Sequence, residues 1–235
     1  MLARTKLWKV KWSMPVPNIQ SGKRAIVAGR TGNGKSTLAC FLLSQSPGHW
    51  LILNPKWTKA YAELPDAHVI KKFDVKAIER SLTDHRFTLF NPKSEHASVE
   101  LLDDLVGYFH DNYNNLGLCV DELYTMHRQG QALPGLLGWL TRGRELGQSF
   151  LGLTQRPAWI SKFLFSESDF IGGMDLSLKD DRKRMVEMTG REAFMDRLDK
   201  YRWLWYDVGN DDLKKYGPVP MVLTQNQNDD TRETV

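Results

Sequence analysis

Short runs of consecutive apolar residues alternate along this chain with longer stretches in which apolar residues recur every three or four positions. The first kind predicts buried strands, the second amphipathic helices. AIVA (25–28) predicts a strand, and a glycine-rich turn leads from it into a helix on STLACFLLSQ. WLILN (50–54) predicts the next strand. HVIKKF and RFTLF (86–90) predict two more, with a short helix on VKAIERSL between them. ASVELLDDLVGYFHDNY has helical spacing, and LGLCV (116–120) is a strand that runs into Asp121 and Glu122. LPGLLGWLTRGREL predicts a helix with Pro134 in its first turn, where a missing N–H costs nothing. SFLGLT is a strand that Pro157 forbids from continuing. A helix around 178–189 and an aromatic strand, YRWLWYD, close the series.

Strands that are continuously apolar and alternate with helices predict a mainly parallel sheet covered on both faces, hence an α/β fold. No linker-like stretch divides the series. One domain is expected over residues 1–217, with a polar tail over 218–235. The first 20 residues, which open MLARTKLWKVKW, are expected to form an edge strand or an arm.

Composition changes this picture little. Hydrophobic residues make up 41% and charged residues 26% of the 235 residues, as in ordinary globular proteins. The formal net charge of +4 leans mildly toward polyanionic partners. Cys40 and Cys119 lie in apolar stretches without metal-ligand spacing and are expected to be reduced and buried. No apolar run approaches the roughly 20 residues that span a bilayer, so no membrane helix is expected.

The turn after the first strand changes it more. Gly29-Arg30-Thr31-Gly32-Asn33-Gly34-Lys35-Ser36 fits G-x-x-x-x-G-K-[ST], the P-loop pattern, and sits between a predicted strand and a predicted helix as that pattern requires. Glycines let successive N–H groups point at phosphate oxygens. The helix that starts near Lys35, carrying Ser36 and Thr37, adds its positive end. Lys35 would bridge the β- and γ-phosphates and the Ser36 hydroxyl would bind Mg²⁺.

Phosphate binding alone hydrolyses nothing. Asp121, at a strand end, would complete the Mg²⁺ shell, and Glu122 would activate the attacking water. Adjacent strand residues point to opposite faces, so the two can share one site only where the strand ends and twists. The alternative for two acids there is to cap a following helix. If SFLGLT lies between the P-loop strand and the acid-bearing strand, Gln155 reaches the γ-phosphate and the water as a sensor.

These motifs in this order resemble the HerA/FtsK superfamily of P-loop DNA-translocating ATPases. IVAGRTGNGKST, LILNPKW, LCVDEL, GRELGQSFLGLTQRP and DFIGGMDLSLKDDRKRMVEMTG carry the resemblance, which covers roughly residues 15 to 207. Asn54 departs from it, since the family has Asp there. The resemblance implies a RecA-like domain of the additional-strand, catalytic-glutamate kind, with ATP and Mg²⁺ bound. It also implies a homo-oligomeric ring, a hexamer, with an arginine from the neighbouring subunit reaching the γ-phosphate. Arg144 in RGRELG matches that arginine; a plain ion pair is the alternative. Arg142 lies two residues earlier, on another face of the predicted helix, and Arg156 beside the sensor.

Brevity makes the chain most like the genome-packaging ATPases of tailless, membrane-containing double-stranded DNA viruses. That implies non-specific grip on double-stranded DNA, docking on capsid or virion-membrane vertex proteins, and a place at the virion packaging vertex and in host cytoplasm. The loop MHRQGQ (126–131) and Lys162 are candidate DNA contacts. KDDRKR is expected to be a solvated helix start, and Trp50, Trp139, Trp203 and Trp205 core or subunit interface. The alternatives are a phage assembly, export or conjugation-type ATPase handling single-stranded DNA, a small-molecule kinase, and a nucleotide-gated scaffold. The acid pair and TQRP speak against a kinase, and the full hydrolytic set against a scaffold.

Overall fold

The computed structural model describes residues 17–94, 97–128 and 130–219. Most of the expected N-terminal arm and nearly all of the C-terminal tail lie outside the described residues, as does Gln129 of the 126–131 loop. The strands are β1 (Arg24–Ala28), β2 (His49–Leu53), β3 (Ala67–Ile70), β4 (Phe87–Phe90), β5 (Leu116–Asp121), β6 (His127–Arg128), β7 (Gln131–Ala132), β8 (Ser149–Thr154), β9 (Phe170–Gly173), β10 (Trp203–Asp207) and β11 (Asp212–Tyr216). The helices are α1 (Lys35–Gln45), α2 (Val75–Asp84), α3 (Val99–Asn112), α4 (Pro134–Arg142), α5 (Lys162–Ser166) and α6 (Lys179–Thr189).

Nine strands form one sheet in the order β11-β10-β9-β1-β8-β5-β2-β4-β3, and β6 and β7 make a separate small hairpin. From β9 across to β3 all pairings are parallel; β10 and β11 add an antiparallel hairpin at one edge. This is the expected mixed α/β architecture. β8 pairs with β1 on one side and β5 on the other, with Ala28 opposite Thr154 and Asp121 opposite Leu153. The TQRP segment therefore leaves the sheet between the P-loop strand and the acid-bearing strand.

The period of two along each strand divides the core. Ile26 and Ala28 of β1 join one apolar cluster with Ile78, Leu105, Trp139 and Met185 from the helices after β3. Ala25 and Val27 join the other, built on α1, Trp50, Trp203 and Trp205. The four tryptophans expected inside are all buried.

Three local expectations are corrected. HVIKKF pairs only as far as Ile70, because its partner β4 ends at Phe90. The helix expected over 133–146 stops at Arg142: the Gly143 N–H still bonds the Trp139 carbonyl at 3.1 Å, then Gly147, at φ 67°, turns the chain into β8. KDDRKR is not simply solvated, since Asp181 is 1% exposed and accepts from Arg156 Nε at 3.0 Å and the Ala158 N–H at 3.1 Å. Among the described residues no helix is long and apolar enough to cross a membrane.

Candidate active site

The P-loop turns at the carboxyl edge of the parallel strands, where open α/β sheets hold ligands. Backbone bonds fix its start: the Gly29 N–H donates to the Thr154 carbonyl at 3.0 Å and the Arg30 N–H to the Asp175 carbonyl at 2.9 Å. Gly32 and Gly34 adopt φ of 77° and 91°, which only glycine takes up without cost. No side chain caps α1, whose N-cap is Gly34, so its first N–H groups are left for an anion. Lys35, Ser36 and Thr37 form its opening turn. Lys35 Nζ donates to the Arg30 carbonyl at 3.3 Å. Burial lowers its pKa, with the Glu122 and Asp121 carboxylates opposing that shift.

β5 delivers the acid pair. Asp121 is buried, and Thr58 Oγ1 donates to its Oδ2 at 2.9 Å; burial raises its pKa and the Thr58 bond opposes the rise. Glu122 then takes φ 84° and ψ 72°, the left-handed region, at a cost of about 1–3 kcal/mol for a residue with a Cβ. That turn brings the carboxylates of two sequence neighbours to the same end of the sheet, where both act on Lys35. The Glu122 carboxylate, 2% exposed as a residue, pairs with Lys56 and accepts the Gln155 N–H at 3.4 Å. The Gln155 side chain in turn accepts from the Thr31 hydroxyl at 2.5 Å. Thr31, Gln155 and Glu122 are thus linked directly, and the Asp121 and Glu122 charges act on Lys35.

Arg144 is not part of this cluster. It lies in the turn after α4 and pairs with Asp169 at 3.4 Å, beside Lys23, which pairs with the same carboxylate at 2.8 Å. Those residues precede β1 and β9, so Arg144 stands at the opposite edge of the sheet from its own P-loop. Five residues of strand separate them by roughly 16 Å. Arg142 is exposed and faces Asp111 at 3.8 Å. Arg156 is on the P-loop edge but is tied down, with its guanidinium 4.0 Å from the Trp159 ring centroid and paired to Asp181. Of the candidate DNA contacts, Arg128 pairs with Glu100 and Lys162 with Glu187, all at the surface.

Sequence reasoning overlooked the supports. Lys56, the partner of Glu122, stands in LILNPKW, and its place just past a strand end was the available signal. Asp175 is 1% exposed and binds Arg30 Nε at 3.0 Å and Arg197 at 2.6 and 2.8 Å, so two distant segments meet beside the loop. These charge-assisted bonds hold its carboxyl below the usual carboxylate range, the Arg197 bond first among them.

The departure at Asn54 also has a structural reason. Its Nδ2 donates to Asn91 Oδ1 at 2.9 Å and to the Thr58 carbonyl at 3.1 Å, while its Oδ1 accepts the Thr58 N–H at 2.9 Å. Asn54 is fully buried. A carboxylate there would face two acceptors, so Asn54→Asp is expected to destabilise the fold by about 1–3 kcal/mol. Urea unfolding measures the change; an unaltered midpoint would show that the network is dispensable.

No family model matches the chain. Over 211 residues it is 28% identical to the DNA packaging ATPase P9 of Enterobacteria phage PRD1, an alignment that takes in 84% of this chain and 88% of that protein. In sequence the chain is similar to a viral DNA-packaging ATPase. Its fold is likewise that of such P-loop ATPases. The DNA-packaging ATPase B204 of Sulfolobus Turreted Icosahedral Virus superposes with a TM-score of 0.65 at 18% identity, over 85% of this chain and 99% of that one. B204 of Sulfolobus turreted icosahedral virus 2, in complex with AMPPCP, gives 0.67 at 18% identity over the same shares. VirB4 of Thermoanaerobacter pseudethanolicus gives 0.61 at 10% identity, over 84% and 89%.

Proposed function

We propose that this chain is an ATP-hydrolysing motor that packages double-stranded DNA into a viral capsid. The observation that carries the proposal is the likeness to the PRD1 packaging ATPase along most of both chains. A P-loop, an acid pair and Gln155 gathered at one sheet edge support it. ATP is the nucleotide. The loop from Gly29 to Thr37 would hold its phosphates, with Lys35 on the β- and γ-phosphates.

Ser36 and Asp121 would hold Mg²⁺, which supplies charge neutralisation at the phosphoryl oxygens when bound. The donor set fits that ion, being hard oxygen ligands. Among the described residues no cluster of three or more His, Cys, Asp or Glu side chains is placed to hold a metal alone, so the ion would arrive with the triphosphate's own oxygens. Glu122 would accept the water's proton, Lys56 would orient that carboxylate, and Gln155 would join the γ-phosphate end to Thr31.

Arg144 sits at the sheet edge remote from its own P-loop and pairs there with Asp169, so a role at a γ-phosphate would be at the site of a neighbour. Contacts between opposite edges are head-to-tail, and such contacts close into rings when the rotation between neighbours closes. A hexamer, docked on capsid or membrane proteins of the packaging vertex, is the assembly proposed, with residues 1–217 as one ATPase unit. In infected cells it would act in the cytoplasm.

ATP hydrolysis is the test, with long double-stranded DNA and with single-stranded DNA at equal phosphate concentration. Stimulation by the duplex above the single strand is expected. The reverse preference would favour an export or conjugation-type ATPase.

A further inference from the structure

The acids fix which way a nucleotide lies. Asp121 and Glu122 come from β5, on the β8 side of β1. With the γ-phosphate toward them, the nucleoside leaves the loop on the other side, over β9 and β10. The segment that stands there is 197–202, immediately before β10.

This segment is built rigidly against the P-loop. Arg197 grips Asp175 with two bonds, the Leu198 N–H donates to Asp175 Oδ1 at 3.3 Å, and Asp175 also holds Arg30. The Arg202 N–H closes the turn on the Asp199 carbonyl at 3.1 Å, and the Val219 N–H donates to the Tyr201 carbonyl at 3.2 Å. Tyr201 is forced to φ 66°. Its ring packs on Gly34 so closely that a Cβ at that position would lie 2.8 Å from Tyr201 Cδ1. Yet the residue is 40% exposed, and Lys200 Nζ stands 4.9 Å from the ring centroid. Positive φ, exposure and a nearby lysine recur at Trp57 with Lys71, so what sets Tyr201 apart is its contact with the P-loop at Gly34.

Next to Gly34 in the sequence, Asn33 is 1% exposed, and neither Oδ1 nor Nδ2 has a hydrogen-bond partner among the described residues. Buried amides are nearly always satisfied. An unpartnered buried amide thus stands in the same loop that the Tyr201 ring packs on.

We propose that Tyr201 is the platform on which the nucleobase of the bound nucleotide stacks, in the place that Lys200 covers. The proposal rests on the nucleotide reading of the P-loop given above. Stacking uses the π-face common to all bases, so Tyr201 contributes affinity without choosing between adenine and guanine.

The test is equilibrium binding of AMPPCP, GMPPCP and inorganic tripolyphosphate, each with Mg²⁺. The proteins are the unmodified chain, Tyr201→Asn and Tyr201→Phe. Asn tolerates the left-handed backbone, so the turn is retained. Tyr201→Asn is expected to weaken both nucleotides about tenfold and leave tripolyphosphate unchanged, while Tyr201→Phe stays within about twofold. Equal loss for tripolyphosphate and nucleotides would mean a damaged loop and overturn the proposal. So would unchanged nucleotide binding by Tyr201→Asn. Failure of the unmodified chain to bind any of the three would instead overturn the nucleotide reading itself, and the platform with it.

Discussion

Glu122→Gln is expected to lower the single-turnover rate of ATP hydrolysis by on the order of 10²–10⁴, the usual worth of a positioned general base. Binding of ATP should change little. Gln is isosteric with Glu, so it fills the same buried space, but its one carbonyl oxygen accepts from only one of the two donors that Glu122 holds on separate oxygens, the Gln155 N–H and Lys56. What it lacks is the ability to take a proton. The left-handed backbone at residue 122 places this side chain, and the amide does not alter that geometry. Rapid-quench hydrolysis and nucleotide binding, measured on one preparation, separate the two effects. A variant that hydrolyses ATP at more than about a tenth of the unmodified rate would move the base to another residue.

The second large effect concerns Arg144. Arg144→Ala is expected to reduce hydrolysis by on the order of 10³, as loss of an arginine that stabilises the transition state does. The fold should tolerate the change, since Asp169 keeps Lys23 and the Arg24 N–H as partners. The distance of Arg144 from its own P-loop gives a sharper expectation. A head-to-tail ring mixed equally from Arg144→Ala and Lys35→Ala subunits pairs an intact loop with an intact arginine at about a quarter of its interfaces. Each variant alone should be inactive and the mixture should recover activity. Full activity of Arg144→Ala, with loss in Arg142→Ala, would reassign the role to the earlier arginine.

Much of the frame was legible because it rests on short-range physics. β1, β2, β4, β5 and β8 are dominated by apolar residues, as strands buried on both faces are. The place of β8 between β1 and β5, which the sequence posed only as a condition, is what brings Gln155 to the loop. The sheet edge was less legible. β9 reads Phe-Ile-Gly-Gly, and its glycines lie under Trp205 and Phe194 where larger side chains would clash, so close packing removed the apolar signal. β11 reads Asp-Leu-Lys-Lys-Tyr, a polar edge strand that pairs only with β10. The helix extended through Arg144 because Arg-Glu-Leu carries good propensity, whereas a turn formed at Gly143 ends it.

At the site, consecutive motifs were readable and long-range partners were not. Nothing in a one-dimensional pattern joins Lys56 to Glu122, or Arg197 to Asp175 and Arg30. Those contacts exist because the strands' carboxyl ends converge. Tyr201 was hidden for the same reason: it looked like the first residue of an aromatic strand, and only the fold sets it on Gly34.

The measurement that tests the motor most directly is displacement of a triplex-forming strand annealed to linear double-stranded DNA. ATP with the unmodified protein is expected to release the third strand, whereas AMPPCP, or ATP with Glu122→Gln, should not. Sustained ATP hydrolysis on that DNA with the triplex left in place would contradict translocation as the function.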